Sequence, residues 1–388
     1  MEIVNHRRIF KMFKKILALG LSLCMMIGAV GCSGGGSEDA SAGDDFKVGI
    51  VTPTLSVSED EYRGAENMVE KYPGRVEHIT LPENFNTEIE NAISQIVSLA
   101  DDEKMKAIVV VSGQSGLLPA LQQVKEKRPD IITITAPIWD DPDMMSQYVD
   151  VNLDANWAKR GETIVTLAKE MGCKTFIHYS FPTHLSKESV ATRRDKMKET
   201  CEKEGLEFVE VMTPDPQTGQ GVAAMQQFLR EDIPRQIEKY GTDTNIFGSN
   251  CPMYDVILDE ALKLKFCVAE QCCPTPTQAY PTVLNLEIAE EDSQNYDKMN
   301  EMISEKVDAQ GMKGRLGGWP MPMTVFLPEY AVELGMEMVS KGLTKEDVSN
   351  SEYLQNFAKE KFGIDTQFEK LKDNTDNYQL MVMDQIVY

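Results

Sequence analysis

The chain has 388 residues, with 39 Lys and Arg against 62 Asp and Glu, a formal net charge of −23. A charge of that sign repels phosphate backbones and anionic lipid surfaces, which sets nucleic acid aside as a partner. The length exceeds one compact core and fits two domains of ordinary size.

The first stretch is basic and then apolar. Arg7, Arg8, Lys11, Lys14 and Lys15 precede the run from Ile16 to Val30. This is the pattern of a secretory signal, and it is too short for an ordinary spanning helix. Residues 1–31 carry five basic groups and one acid, a net +4, so the remainder carries −27. The signal ends at Ala29-Val30-Gly31-Cys32, which resembles a bacterial lipobox. That resemblance implies acylation (palmitate) of Cys32 as the first residue of the mature protein. Residues 32–45 are rich in Gly, Ser and Asp and read as a flexible tether. The expected location is the extracytoplasmic face of the cell membrane, with the protein held there by lipid.

The body opens with the apolar, β-branched Phe46–Pro53, the signature of a strand buried on both faces. Ser58–Tyr72 has helical spacing, Val76–Leu81 is a second strand, and Asn86–Leu99 is an amphipathic helix. Ala107–Val111 is a third strand, Leu117–Lys127 a helix, Ile131–Ala136 a fourth strand and Tyr148–Leu153 a fifth. The alternation then restarts. Helices are predicted over Ala155–Met171, Ser186–Glu204, Gly221–Tyr240 and Met253–Leu264, interleaved with strands over Thr175–Tyr179, Glu207–Met212, Thr244–Gly248 and Phe266–Glu270. Thr282–Ile288 reads as a strand, Tyr296–Gln310 and Tyr330–Val339 as helices, and Tyr378–Tyr388 as a closing strand. The acidic clusters Ser58–Glu61 and Glu290–Asp292 read as solvated helix ends.

Strands alternating with helices at these lengths imply right-handed βαβ units on parallel sheets. The fold class expected is α/β, two doubly wound parallel-sheet domains joined by a hinge of several crossings. The first domain is assigned 46–154 and 319–345, the second 155–318 and 346–388. Crossings are expected near Asn152–Ala155, Gly317–Pro322 and Gly342–Asp347, permitting closure over a ligand.

With Cys24 in the signal and Cys32 at the lipid site, Cys173, Cys201, Cys251, Cys267, Cys272 and Cys273 remain. Cys251, Cys267, Cys272 and Cys273 lack the paired C-x-x-C spacing of zinc sites. These cysteines read as buried free thiols, with one disulfide, or metal or redox chemistry, as the alternatives. No metal and no cofactor are expected.

A lipobox, a tether and two consecutive α/β halves with a late return resemble the type I periplasmic-binding-protein-like solute-binding lipoproteins, receptors of ABC importers. Three local stretches carry the likeness. FKVGIVTP is similar to the family's opening strand. SVATRRDKM places Arg193 where a ligand-binding arginine falls, with Arg194 as its neighbour in register. IFGSNCPMYDVILDEAL is similar to the junction that carries an Asn-Asp pair. Here Asn250 remains and Cys251 replaces the Asp that commonly holds a sugar hydroxyl, which points away from a simple pentose or hexose. The resemblance implies a monomeric receptor that delivers a small molecule to an ABC permease.

Independently of any family, ligands of open parallel sheets sit beyond the carboxyl ends of the strands. Those ends offer Thr52, Pro53, Thr54, Ser112, Gly113, Gln114, Ser115, Pro137, Trp139 and Asp140 from the first half. The second half offers Tyr179, Phe181, Arg193, Asn250 and Gln271, and the hinge offers Trp319. This set suits a small polar organic ligand. Helix N-termini after Ser112 and Ser180 could hold an anionic group. Four scattered histidines, with no H-E-x-x-H, no G-x-S-x-G elbow and no P-loop, point away from an enzyme. Signalling to a membrane sensor, or a Cys- or metal-dependent enzyme, are the alternative functions.

Overall fold

The computed structural model describes residues 45–216 and 221–388. Cys32, the signal and all but the last residue of the tether lie outside the described residues. The elements run β1 (Lys47–Thr52), α1 (Glu59–Lys71), β2 (Val76–Thr80), α2 (Ile89–Ser98), β3 (Met105–Val110), α3 (Leu118–Lys127), β4 (Ile132–Thr135), α4 (Pro142–Tyr148) and β5 (Val151–Ala155). Next come α5 (Trp157–Glu170), β6 (Thr175–Ser180), α6 (Pro182–Leu185), α7 (Glu188–Glu204), β7 (Glu207–Met212), α8 (Gly221–Tyr240), β8 (Thr244–Gly248), α9 (Tyr254–Leu264), α10 (Tyr280–Val283) and α11 (Tyr296–Ala309). The chain closes with β9 (Gly317–Gly318), α12 (Met323–Lys341), α13 (Lys345–Val348), α14 (Ser351–Phe362), β10 (Thr366–Lys370), β11 (Tyr378–Met383) and β12 (Ile386–Val387).

The α/β class holds, and the strands form two lobes. The first lobe is a seven-stranded sheet in the order β10-β11-β5-β4-β3-β1-β2, parallel except for β10 against β11. Order reverses between β1 and β3, the place where such sheets open a crevice. Val48, Ile50, Val109 and Ile134 face one core, covered by the largely buried α12. Val51, Ile108 and Val110 face the other, covered by α2 and α3. Alternate residues of each strand therefore meet a helical layer on either side, which is why these strands are apolar throughout.

The second lobe has the parallel order β7-β6-β8. Isolated bridges continue it, Asn245 with Cys267 and Val268 with Leu316. The predicted strand Phe266–Glu270 is thus reduced to single pairings, and Asn245 Oδ1 accepts the Ala269 N–H in place of a ladder bond. Thr282–Ile288 is not a strand. Pro281, which lacks an N–H and suits the first turn of a helix, opens the short α10 instead.

Two further expectations are corrected. Residues 346–388 do not belong to the second half: Leu354, Phe357, Phe368, Met381 and Met383 enter the first lobe's core, and β11 pairs with β5. Only the last four residues return, with β12 against β9 and Tyr388 in the second lobe's core. Gly342–Asp347 is accordingly no crossing. Gly342 is the left-handed cap of α12 (φ 64°), and Thr344 with Asp347 forms the capping box of α13 inside the first lobe. The third crossing falls at 384–386, beside those at 155–157 and 318–323. Among the described residues no helix is long and apolar enough to cross a membrane.

The second lobe's helical layer depends on one close approach. A Cβ on Gly161 of α5 would sit 2.5 Å from Arg193 O and 2.8 Å from Lys196 Cβ of α7. Gly161→Ala should push the two helices apart and lower stability by about 1–3 kcal/mol, as over-packing does, despite alanine's better helix propensity. A urea midpoint that stays unchanged would contradict this packing.

Candidate functional site

A cavity of about 480 Å³ opens beyond the carboxyl ends of the first lobe's strands. The first lobe supplies Pro53 after β1, Ser112, Gly113 and Gln114 after β3, Pro137 and Trp139 after β4, and Asp154 at the end of β5. Asp60 and Glu61 of α1 and Met323, Thr324 and Leu327 of α12 close that side. The second lobe contributes Trp157 and Arg160 of α5 together with Cys273, Pro274 and Thr275, and the crossing contributes Trp319.

Of the residues expected from sequence, Pro53, Ser112, Gly113, Gln114, Pro137, Trp139 and Trp319 line this cavity. Gly113 has a positive φ of 54°, a backbone conformation that suits glycine, and the Trp139 ring lies beside it. Trp139 is 55% exposed, a large aromatic face offered to the cleft.

The other nine do not line the cavity. Thr52 Oγ1 is 2.8 Å from both Pro53 O and His78 Nε2, and Thr54 Oγ1 lies 2.9 Å from Ser56 Oγ. Ser115 Oγ donates to Trp139 O. Asp140 accepts from the N–H groups of Gly116, Leu117 and Leu118 at 2.7–3.0 Å, so the helix start after Ser112 is filled by the chain's own carboxylate. Tyr179 is buried and donates to Asp232 at 2.9 Å, and Phe181 stacks on His184. Arg193 is buried behind Trp157, its guanidinium 5.7 Å from that ring and 5.1 Å from Phe247. Its neighbour Arg194 turns outward to Glu210 at 2.6 Å. Asn250 precedes the turn into α9, and Gln271 is buried against the hinge, donating to Gln278 O at 3.0 Å.

Sequence reasoning missed the pair at the back of the cleft. Arg160 donates through Nε and Nη2 to Glu270 Oε1 at 2.8 and 2.6 Å, and through Nη2 to the carbonyls of Gln271 and Cys272 at 2.9 and 3.0 Å. Glu270 Oε2 accepts from Trp319 Nε1 at 3.0 Å and from Gln385 Nε2 at 2.8 Å. The indoles of Trp157 and Trp319 lie 5.2 and 5.1 Å from the Arg160 guanidinium. The partners are 110 residues apart, so no local spacing announces them.

The cleft's carboxyls were missed as well. Glu61 was expected on a solvated helix end, yet it is only 8% exposed. It shares the buried stripe of α1 with Gly64, Ala65 and Met68, a 3–4-residue spacing that could have revealed it. Burial pushes Glu61 up to about 7, against a hydrogen bond from Ser58. Burial likewise pushes Asp154 up to about 6, although the Ala155 N–H and the Trp139 side chain both hydrogen-bond it. The cavity's basic lining residue, Arg160, is already matched by Glu270. A solute in this cleft therefore meets three indoles and carboxyls without a cationic partner among the described residues.

The model of the family described as "Protein of unknown function (DUF3798)" matches residues 46–317. The chain belongs to that family. A Clostridium difficile 630 protein, described as a candidate transcriptional regulator, has a crystal structure similar to this DUF3798 protein at TM-score 0.87 and 48% identity; the match covers 89% of this chain and 99% of that one. An uncharacterized protein of Treponema pallidum (strain Nichols) is 31% identical over 208 residues, 52% of this chain and 93% of its own. A sugar ABC transporter structure from Actinomyces odontolyticus ATCC 17982 matches at TM-score 0.51 and 12% identity, over 79% of this chain and 86% of that one. This last likeness shows the fold, a type I periplasmic-binding-protein-like architecture.

The Arg160–Glu270 pair gives a direct test of the hinge. Glu270→Gln leaves a buried guanidinium without its counter-charge and should cost on the order of 3 kcal/mol or more in urea unfolding. Replacing both partners by methionine should recover much of that loss. Equal losses in the single and double variants would mean the pair is not electrostatically coupled.

Proposed function

We propose that this DUF3798 protein is a membrane-anchored extracytoplasmic solute receptor. It captures a compact organic ligand between its lobes and delivers it to an ABC importer. The observation that carries this reading is the cavity at the sheet's carboxyl edge, with walls from both lobes and three chain crossings behind it. Anchoring through Cys32 rests on the sequence of the signal and lipobox. The fold's likeness to a sugar ABC transporter protein supports the receptor role.

The lining refines the ligand. Apolar side chains dominate, and the helix start that could have bound an anion is capped by Asp140. Indole faces attract cations, most strongly where water is excluded. Among the described residues no cation pairs with Asp154 or Glu61, so a counter-charge for them falls to the solute. The ligand is therefore inferred to be an organic cation with an apolar body, a substituted ammonium or amidinium compound, in place of the small polar solute expected from sequence alone.

A regulatory variant of this reading has one supporting observation, the description of the Clostridium difficile relative. A body charge of −27 opposes binding to nucleic acid. The form of regulation that fits is ligand-dependent signalling to a membrane sensor. A permease and ATPase gene beside this one, against a sensor kinase gene, separates the two.

Native mass spectrometry of gently purified protein should show one small molecule per chain, and fragmentation should identify an amine or amidine. Trp139→Ala should weaken its binding by about 1–2 kcal/mol, roughly five- to thirtyfold, through loss of the indole face. Protein that is empty, and that gains no thermal stability from a panel of organic cations, sugars, nucleosides and amino acids, would refute the receptor reading.

The raised carboxyls set a pH dependence of definite sign. In the unliganded fold Asp154 holds its proton to about 6 and Glu61 to about 7, above their unfolded values of 3.8 and 4.5. The free protein should thus lose stability as pH rises between about 4 and about 7. A cationic ligand binds the ionised form and must displace those protons, so its affinity should rise from about pH 5 to about pH 8 and then level off. Asp154→Asn should flatten the lower part of that rise and Glu61→Gln the upper part, in calorimetric titrations. An affinity that falls with pH would exclude a cation.

A further inference from the structure

The thiols of the second lobe are not used by the solute reading, and three of them converge. Cys251 opens the turn after β8, and Cys272 and Cys273 follow the segment that ends in Glu270-Gln271. Their Sγ atoms all lie within 4.8 Å of one another, with Cys251 and Cys273 at 2.9 Å. Cys272 is buried, Cys251 half-buried, and Cys273 exposed at the cavity wall. The side chain of Gln278 reaches Cys251, and the Gln278 Oε1 is buried without a hydrogen-bond partner. Cys173 and Cys267 stand apart, with Arg315 Nη1 3.3 Å from Cys267 Sγ, and Cys201 sits on the buried face of α7.

A charge argument points at the same cluster. Arg193 is 2% exposed, and a guanidinium does not give up its proton. Its Nε has no partner, and among the described residues no carboxylate pairs with it. Its Nη2 instead approaches Cys272 Sγ at 3.9 Å. A buried cation without an anion is costly, and deprotonated sulfur in this cluster would supply one.

We propose that Cys251, Cys272 and Cys273 bind one zinc ion as a three-thiolate site, with its remaining coordination position open to the ligand cleft. Zinc–sulfur bonds of about 2.3 Å hold tetrahedral sulfurs roughly 3.8 Å apart, inside the observed spread. On binding, the three S–H bonds give up their protons to solvent and three Zn–S bonds form, with no change of oxidation state. The complex carries a net −1, which places a counter-charge beside Arg193. Three protein ligands with an open fourth position distinguish a zinc that can take an exogenous donor from a closed structural one. That position lies on the Cys273 side, where water or a donor atom of the solute completes the shell.

The test uses the full-length chain, reduced and freed of metal by chelation, and titrated with Zn²⁺ against a chromophoric chelator. One ion per chain, with proton release on binding, is the expected result. Cys273→Ser alters an exposed side chain and should fold normally while weakening Zn²⁺ by more than about tenfold. Cys201→Ser should bind as the parent does. Co²⁺ in place of Zn²⁺ should give a sulfur-to-metal charge-transfer band that weakens in Cys273→Ser. Failure of the reduced parent to take up stoichiometric Zn²⁺, or uptake that neither Cys251→Ser nor Cys273→Ser reduces, would overturn the site. So would an intact-mass map showing a Cys251–Cys273 disulfide in protein isolated without air from its source.

Discussion

The ion pair between Arg160 and Glu270 is the contact through which the two lobes share one hinge. Arg160 follows the first crossing, Trp319 lies on the second and Gln385 on the third, and all three converge on Glu270. The pair is fully enclosed, so its two charges compensate each other in a medium of low polarisability, where breaking either side is expensive. Four further partners, two carbonyls on Arg160 Nη2 and two N–H donors on Glu270 Oε2, support it, as a buried pair requires. The indoles of Trp157 and Trp319 flank the guanidinium and pass its position on to the cleft wall. Each crossing is thus held by a group it does not itself contain.

That arrangement decides what the cleft can recognise. Because Glu270 takes up the charge of Arg160, the cavity has among the described residues no spare cation with which to attract an anion. The helix start beyond Ser112 is sealed in the same way by Asp140. What remains is aromatic surface and carboxyls raised by burial. The receptor reading and the organic-cation reading therefore rest on one electrostatic circumstance, a positive charge spent on architecture. The thiol cluster adjoins this pair, since Arg160 also donates to the Cys272 carbonyl, and there the buried Arg193 approaches a sulfur where Arg160 meets a carboxylate.

Much of the fold was legible in the chain. Apolar runs such as Ala107–Val111 declare strands covered on both faces, and the alternation with helices fixes parallel pairing and the carboxyl edge as the place for a site. Seven expected residues, from Pro53 to Trp319, do line the cavity, because strand ends are local features. The remaining nine do not reach the cavity, and several of them turn to scaffold tasks. Ser115 and Asp140 clamp one loop to another, and whether a polar side chain meets a ligand or a neighbouring backbone is settled by partners distant in sequence.

By itself the sequence determined the α/β class, the succession of two lobes, the acidic body and the basic, then apolar character of the stretch before Cys32. These follow from periodicity, composition and short-range pattern, which act over a few residues. Only the tertiary structure decided that β10 and β11 join the first sheet, since Tyr378–Met383 is equally apolar whichever sheet receives it. It also decided that Glu61 faces inward, that Arg160 meets Glu270, and that Cys251 meets Cys272 and Cys273. Those outcomes depend on contacts between segments tens to hundreds of residues apart, and the free energy of such contacts is set by burial, which no local spacing records.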